Sequence, residues 1–321
     1  MKAVYIEQHG GPEVLQHGDF AKPSPAPGQV LVKVAVSGVN FIDIYHRNGL
    51  YKMPLPAVLG TEGAGTVDAL GEGVTGFKPG DSVAWTMARG SYAEYSAVPA
   101  TALVHVPAHV ALRDAAAAML QGMTAHYLTH STFPLDKTHT ALVHAAAGGT
   151  GRLIVQMAKL LGARVIATAG SAAKAQVARE AGADEVILYN DADFQAEVKR
   201  LTNGAGVHVV YDGVGKSTYD KSIDSLRPRG MMVAFGNASG PVAPIDILSL
   251  SAKGSLYLTR PTLGNYSSPE ELKWRSGDIF SWIQDGKLKL MIEKEYPLAD
   301  AAQAQIDLAG RGTMGKLLIT V

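Results

Sequence analysis

The chain of 321 residues contains no cysteine. That absence excludes disulfides, thiolate nucleophiles, thioredoxin-type exchange and every cysteine-ligated metal site. No charge of either sign dominates: Lys plus Arg and Asp plus Glu each number 29, so no bulk field draws the chain to nucleic acid or anionic lipid. A basic–aromatic stretch of the kind that binds RNA is missing too, Lys and Arg being scattered one or two at a time. Nor does any apolar run approach the roughly 20 residues that span a bilayer. The opening segment, Met1 to Glu7, alternates like a strand and lacks the apolar core of a signal peptide. Together these absences predict a cytoplasmic protein with neither a nucleic-acid nor a membrane partner.

What is present divides in two, as the length itself suggests. The first third is β-rich, with alternation at Lys2–Glu7, Val30–Val36, Gly65–Ala69 and Asp81–Trp85, punctuated by Pro27-Gly28, Gly71-Glu72-Gly73 and Lys78-Pro79-Gly80. Such spacing predicts a partly open barrel or sandwich. Helical stretches follow at Leu112–Leu120 and around Thr124–Ser131. Strands at 140–145, 164–168, 185–189, 207–211 and 231–235 then alternate with helices at 150–161, 172–181, 194–201 and 217–226, the signature of a doubly wound parallel sheet. The tail reads as helix 269–283, strand 288–292, helix 299–308 and strand 316–321. We expect it to complete the first domain, giving a discontinuous domain of residues 1–123 and 262–321 around a nucleotide-binding domain of residues 124–261.

The strand at 140–145 runs into Ala146-Ala147-Gly148-Gly149-Thr150-Gly151 and then an apolar helix. This is the dinucleotide fingerprint with alanine in its first glycine place. Gly148 lets backbone approach a pyrophosphate, Gly151 lets helix pack on strand, and the helix N-terminus offers free N–H groups. An NAD-specific site carries an acid about 20 residues on, for the ribose 2′-hydroxyl. Here the position reads Ala167-Thr168-Ala169-Gly170-Ser171, with Lys174 one turn later and Tyr189 ending the third strand. A hydroxyl, an ammonium and a phenol welcome a 2′-phosphate that a carboxylate would repel, so NADPH is favoured. Lys174 also reads as a solvated surface lysine.

These features resemble the zinc-independent quinone oxidoreductase (zeta-crystallin-like) branch of the medium-chain dehydrogenase/reductase superfamily. The match runs through Leu142, Ala146-Ala147-Gly148-Gly149-x-Gly151, Gln156 and Lys159. It continues in Leu59-Gly60-Thr61-Glu62-Gly63-Ala64-Gly65, Val74-x-x-Phe77-Lys78-x-Gly80-Asp81, Phe235-Gly236-Asn237 and Tyr257-Leu258-Thr259-Arg260-Pro261. It covers essentially the whole chain; Thr138-His139 is a mild departure. The resemblance implies a GroES-like barrel domain, a Rossmann domain and an active cleft between them. Zinc-dependent relatives have Gly-His-Glu where this chain has Gly60-Thr61-Glu62, and a first ligand near Ser37-Gly38-Val39-Asn40, so both ligand positions are gone. His126 and His130 have i, i+4 spacing but no acidic partner, and they read as surface or satisfied histidines.

Without a Lewis acid, the acceptor must stabilise its own negative charge, as a quinone or a conjugated enone does. The protein then has to stack acceptor on nicotinamide and exclude water. The resemblance places Asn40 and Tyr45 at the nicotinamide end, in catalysis and cofactor contact. Asn40 with Asp43 also reads as a helix N-cap pair, and Tyr45 as barrel packing. By resemblance the cofactor is further met by Thr124, Ala147, Gly148, Gly149, Thr150, Gly151, Ser171, Lys174 and Tyr189. Gly213, Gly215, Phe235, Gly236, Asn237, Arg260 and Lys316 complete the set. Thr124 could instead start a helix, Gly213 and Gly215 are also plain turn glycines, and Arg260 suits an interface. The edge strand Ser255–Thr259 is expected to pair with its twin in a homodimer. The resulting expectation is NADPH-dependent quinone reduction, with an enone or alkenal reductase and a non-catalytic NADPH-binding protein as alternatives.

Overall fold

The computed structural model describes residues 1–321. The chain forms two compact units, Met1–Met123 with Ser267–Val321, and Thr124–Tyr266. The return to the first unit falls at Ser267, where 262 was expected. Tyr266 explains the difference: it stacks on Tyr127 at 4.5 Å, and Leu263 beside it is buried, so the short turn Leu263–Tyr266 stays with the second unit.

The first unit contains β1 (Lys2–Ile6), β2 (Gln16–Asp19), β3 (Gln29–Val39), α1 (Phe41–Arg47), β4 (Ala57–Val58), β5 (Glu62–Leu70), β6 (Ser82–Thr86), β7 (Tyr95–Pro99) and β8 (Leu103–His105). Its main sheet continues through the C-terminal segment and is ordered below. Helix α2 (Leu112–Tyr127) follows β8. It is one helix with a π turn at Leu128–Thr132 in place of the two expected. Gly122 does not break it, because the helix is packed there: a Cβ on Gly122 would stand 3.3 Å from Ile279 Cδ1.

In the second unit, β9 (Thr140–Val143), α3 (Gly149–Leu160), β10 (Arg164–Ala169), α4 (Ala172–Glu180), β11 (Glu185–Leu188) and α5 (Phe194–Leu201) alternate as their periodicity predicts. They are followed by β12 (Val207–Asp212), α6 (Tyr219–Asp224), β13 (Leu226–Ala234), α7 (Leu248–Ala252) and β14 (Tyr257–Thr259). The six strands form one sheet in the order β11-β10-β9-β12-β13-β14, every pair parallel. The order reverses at β9/β12, the switch point beyond whose carboxyl ends doubly wound sheets bind ligands. Leu142, Ile166, Val210 and Met232 fill the core on one face with Phe194, Val198 and Ile223 of the covering helices.

The C-terminal part of the first unit holds α8 (Pro269–Gln284), β15 (Ile292–Pro297), α9 (Ala301–Ala309) and β16 (Lys316–Thr320). Helix α8 starts where its sequence says, with Pro269 in the first turn and a Ser268/Glu271 capping box. The strand expected at 288–292 lies at Ile292–Pro297 instead. Its Glu293-Lys294-Glu295 is exposed because β15 is an edge strand pairing only β16, and charge there hides the alternation. The seven-stranded sheet runs β15-β16-β3-β5-β6-β8, with β7 also on β3, and β2-β1-β4 form a separate small sheet. Trp85, Val30, Val32 and Val98 pack in one core, and Ile6, Leu59, Tyr92 and Ile319 in another.

Candidate functional site

In the first unit the polar side chains converge on the start of α1. Asn40 follows β3 in an extended conformation and takes the N-cap position of α1. Its backbone N–H donates to the Asp43 carboxylate at 2.9 Å, so the cap pairing expected from the sequence is made. The Asn40 carboxamide, however, is turned elsewhere: Nδ2 donates to Glu62 Oε2 at 2.8 Å, and Oδ1 accepts from Lys316 Nζ at 2.9 Å. Glu62 and Lys316 are themselves ion-paired, at 0% and 3% exposure. Lys316, expected against the cofactor, thus has its ammonium on Glu62, Asn40 and, at 3.5 Å, the Val39 carbonyl. Tyr45 is buried one turn along α1, edge-on to Tyr51 with centroids 5.4 Å apart.

Asp43 is fully buried and also accepts from Thr61 Oγ1 at 2.9 Å and the Tyr92 hydroxyl at 3.1 Å. Burial outweighs these donors and pushes its carboxyl up to about 6. A carboxyl whose folded pKa exceeds its unfolded value near 3.9 contributes stability that is full below about pH 4 and lost as pH rises through 6. The loss is about 3 kcal/mol. Asp43→Asn mimics the protonated form. The difference in Tm between variant and wild type should therefore move in the variant's favour by several degrees from pH 4 to pH 7.5. An unchanged difference across that range contradicts the raised carboxyl. On the same helix, burial and then the nearby Arg89 push His46 down to about 4, so α1 carries no imidazolium at neutral pH.

In the second unit the β9–α3 turn is built on Ala145, which takes a left-handed conformation (φ 49°). Its carbonyl accepts from Gly148 N at 2.9 Å. A Cβ on Gly151 would sit 2.4 Å from that same carbonyl oxygen and 3.1 Å from Ala146 Cα, so only glycine lets α3 close on the turn. Gly148 is the N-cap of α3 and contributes no side-chain cap, leaving the first-turn N–H groups, those of Gly149, Thr150 and Gly151 among them, to an anion. Ala147, between strand and cap, is buried. Below the turn, buried His144 joins Thr168 Oγ1 (2.9 Å, through Nδ1) and Ser222 Oγ (2.8 Å, through Nε2), a support that sequence reasoning did not find.

At the end of β10, Ser171 caps α4 by accepting from Lys174 N at 3.3 Å. Tyr189 is 50% exposed and lies over Gly170, where a Cβ would meet its hydroxyl at 2.5 Å. Asn190, also missed, pins the segment by donating to the Gly170 carbonyl at 2.7 Å. The Ser171 hydroxyl, the Tyr189 phenol and the backbone of Lys174 thus lie at one strand end, with no acid among residues 167–171, a setting suited to a phosphate monoester.

Along the sheet, Gly213, Gly215, Phe235, Gly236 and Asn237 follow the ends of β12 and β13. A Cβ on Gly236 would stand 2.4 Å from Gly213 O, and Gly215 has φ 89°. Asn237, oriented so that both ends of its carboxamide are satisfied, donates to Gly236 O at 2.9 Å and accepts from Arg260 Nη2 at 3.3 Å. That contact brings Arg260, just past β14, to the end of β13. Thr124 is buried in α2, the first residue of this unit, and does not start a helix.

Residues 26–108 match the family described as alcohol dehydrogenase GroES-like domain, and residues 149–274 the one described as zinc-binding dehydrogenase. Zinc does not fit this chain's donor set. It has no cysteine, and no three His, Asp or Glu side chains are placed to hold a metal ion. His126 and His130 stack on each other, ring centroids 4.1 Å apart. The quinone oxidoreductase of Pseudomonas aeruginosa is 45% identical, over 99% of both chains. The 2-haloacrylate reductase of a Burkholderia species is 41% identical, over 99% of this chain and 98% of its own. The crystal structure of Escherichia coli quinone oxidoreductase complexed with NADPH superimposes with a TM-score of 0.98 at 42% identity, covering all of both chains. By sequence and by fold, this chain belongs to the quinone oxidoreductase branch of the medium-chain dehydrogenase/reductase superfamily.

Proposed function

We propose that the protein is an NADPH-dependent quinone reductase working without a metal. The observation that carries the reading is the end of β10, where residues 167–171 hold no acid to reject a 2′-phosphate and the Ser171 hydroxyl caps α4 beside Tyr189. The names and cofactor of the quinone oxidoreductase relatives support it. Bound NADPH supplies the hydride. The first-turn N–H groups of α3 hold its pyrophosphate, Gly148 and Gly151 keep backbone close to it, and Lys174 neutralises the 2′-phosphate. Gly213, Gly215, Phe235, Gly236, Asn237, Arg260 and Thr124 wall the dinucleotide on the strand-end side. Asn40 and Tyr45 face the acceptor, the Tyr45 phenol donating to the oxygen that gains charge. That single neutral donor suffices because a quinone delocalises the incoming electron pair over an aromatic ring.

The reading includes a cytoplasmic location and a homodimer. The edge strand β14 supports the dimer, pairing only β13 in its sheet and leaving Tyr257 58% exposed. A second reading, reduction of an activated alkene, has the 2-haloacrylate reductase relative in its favour. One assay separates them: NADPH oxidation with 1,4-benzoquinone, a naphthoquinone, an unsaturated aldehyde and 2-chloroacrylate, repeated with NADH. We expect selective turnover of quinones with NADPH well ahead of NADH. Turnover confined to the alkenes moves the activity to that class, and tight NADPH binding with no turnover removes the catalytic claim.

A further inference from the structure

The buried ion pair of Glu62 and Lys316 has no place in hydride transfer itself. Both residues open strands that flank β3 on opposite sides, β5 and β16, and the pair closes over Gly38 between them. A Cβ on Gly38 would fall 1.9 Å from Glu62 Oε2 and 2.7 Å from Lys316 Nζ, so the glycine makes the room in which the pair lies. The same carboxylate oxygen accepts from Asn40 Nδ2, and the same ammonium donates to Asn40 Oδ1, closing a ring of three groups. The other Glu62 oxygen accepts the backbone N–H of Leu120 in α2, and Gln121 Nε2 stands 3.5 Å from Asn40 Oδ1.

We infer that Glu62 and Lys316 are positioning residues that fix which end of the Asn40 carboxamide points which way. Turning the amide over would set its NH2 against an ammonium and its oxygen against a carboxylate, exchanging two charge-assisted bonds for two repulsions. Stability alone is a weak reason to bury such a pair, since apolar side chains of equal volume commonly do as well. The inference rests on the reading that Asn40 lines the reacting end of the site, and it names the groups that hold Asn40 ready.

The test uses the full-length protein, with wild-type quinone turnover measured first. Exchanging the charges by Glu62→Lys with Lys316→Glu preserves an ion pair but forces the carboxamide to turn over. Glu62→Gln with Lys316→Gln keeps size and hydrogen bonding while removing the charges that choose an orientation. Both double variants are expected to lower kcat with benzoquinone about 10-fold or more, with KM for quinone and Kd for NADPH within about 3-fold. Wild-type kcat in either folded variant overturns the inference. A second readout is independent of turnover: exchange of the Asn40 side-chain NH2 protons by NMR, expected about 100-fold slower in wild type than in the neutral double variant. Fast exchange in wild type overturns the inference as well. Absence of quinone turnover in the wild type instead defeats the functional reading, and the NH2 exchange still decides whether the pair holds Asn40.

Discussion

A single methyl group at position 151 is expected to weaken NADPH binding about 100-fold. Gly151→Ala places a Cβ 2.4 Å from the Ala145 carbonyl oxygen and 3.0 Å from its carbon, and these are backbone atoms at the tightest point of the turn. No rotamer change relieves the contact, so α3 must move off the strand end and carry its first-turn N–H groups with it. A misfit of about 3 kcal/mol corresponds to a Kd for NADPH raised about 100-fold. Gly148→Ala meets that oxygen only at 3.2 Å, so it leaves the turn in place, and its loss, from a Cβ facing the pyrophosphate alone, should stay within about 10-fold. Calorimetric titration of NADPH into both variants checks the pair. Wild-type affinity in the alanine variant at 151 would show that the turn has slack which its geometry denies.

Reversing one charge beyond the end of β10 is expected to invert cofactor preference. Lys174 lies in the first turn of α4, its backbone N–H on the capping hydroxyl of Ser171. In Lys174→Glu its ammonium becomes a carboxylate, which on the proposed reading removes an attraction for the 2′-phosphate and adds a repulsion. A charge-assisted hydrogen bond contributes about 1.5–3 kcal/mol, so NADPH affinity should fall about 10- to 150-fold from its loss alone, and further from the added repulsion. NADH, with a 2′-hydroxyl there, should change by less than about 3-fold. The helix itself should persist, since Lys174 takes part in the cap through its backbone N–H, which the substitution keeps. Parallel loss for both cofactors would point to a damaged fold, and equal retention would move phosphate recognition away from Lys174.

Legibility followed the range of the interactions. The α/β alternation and the glycine turn were readable because strand and helix periods are local and because Gly148 and Gly151 answer to atoms a few residues away. The cap pairing of Asn40 and Asp43 was readable for the same reason. Helix α2 was cut in two at Gly122 because its supporting contact, Ile279, lies far along the sequence. The position of β15 was misread because an edge strand with one partner needs no alternation. At the site, the third residue of Gly60-Thr61-Glu62 drew notice only for the histidine missing beside it. Nothing local announces that Glu62 meets Lys316, for the two are brought together by β3 lying between their strands. Asn190 and His144 escaped for the same reason, each acting on the backbone or side chain of a different βα segment.

The discontinuity of the first unit sets an order of assembly. One edge of β3 is shared by β7, which takes Gln29–Lys33, and β16, which takes Val36–Val39. Synthesis from the N-terminus supplies β7 early, whereas β16 leaves the ribosome only after Thr124–Tyr266, a contiguous unit able to collapse on its own contacts, is complete. Until then Val36–Val39 present an unpaired edge, and the closure that removes it joins segments separated by almost the entire chain, a slow step in folding kinetics. The nascent protein thus has an aggregation-exposed interval confined to one half of one strand, which makes the second half of β3 the natural ground for chaperone engagement during translation.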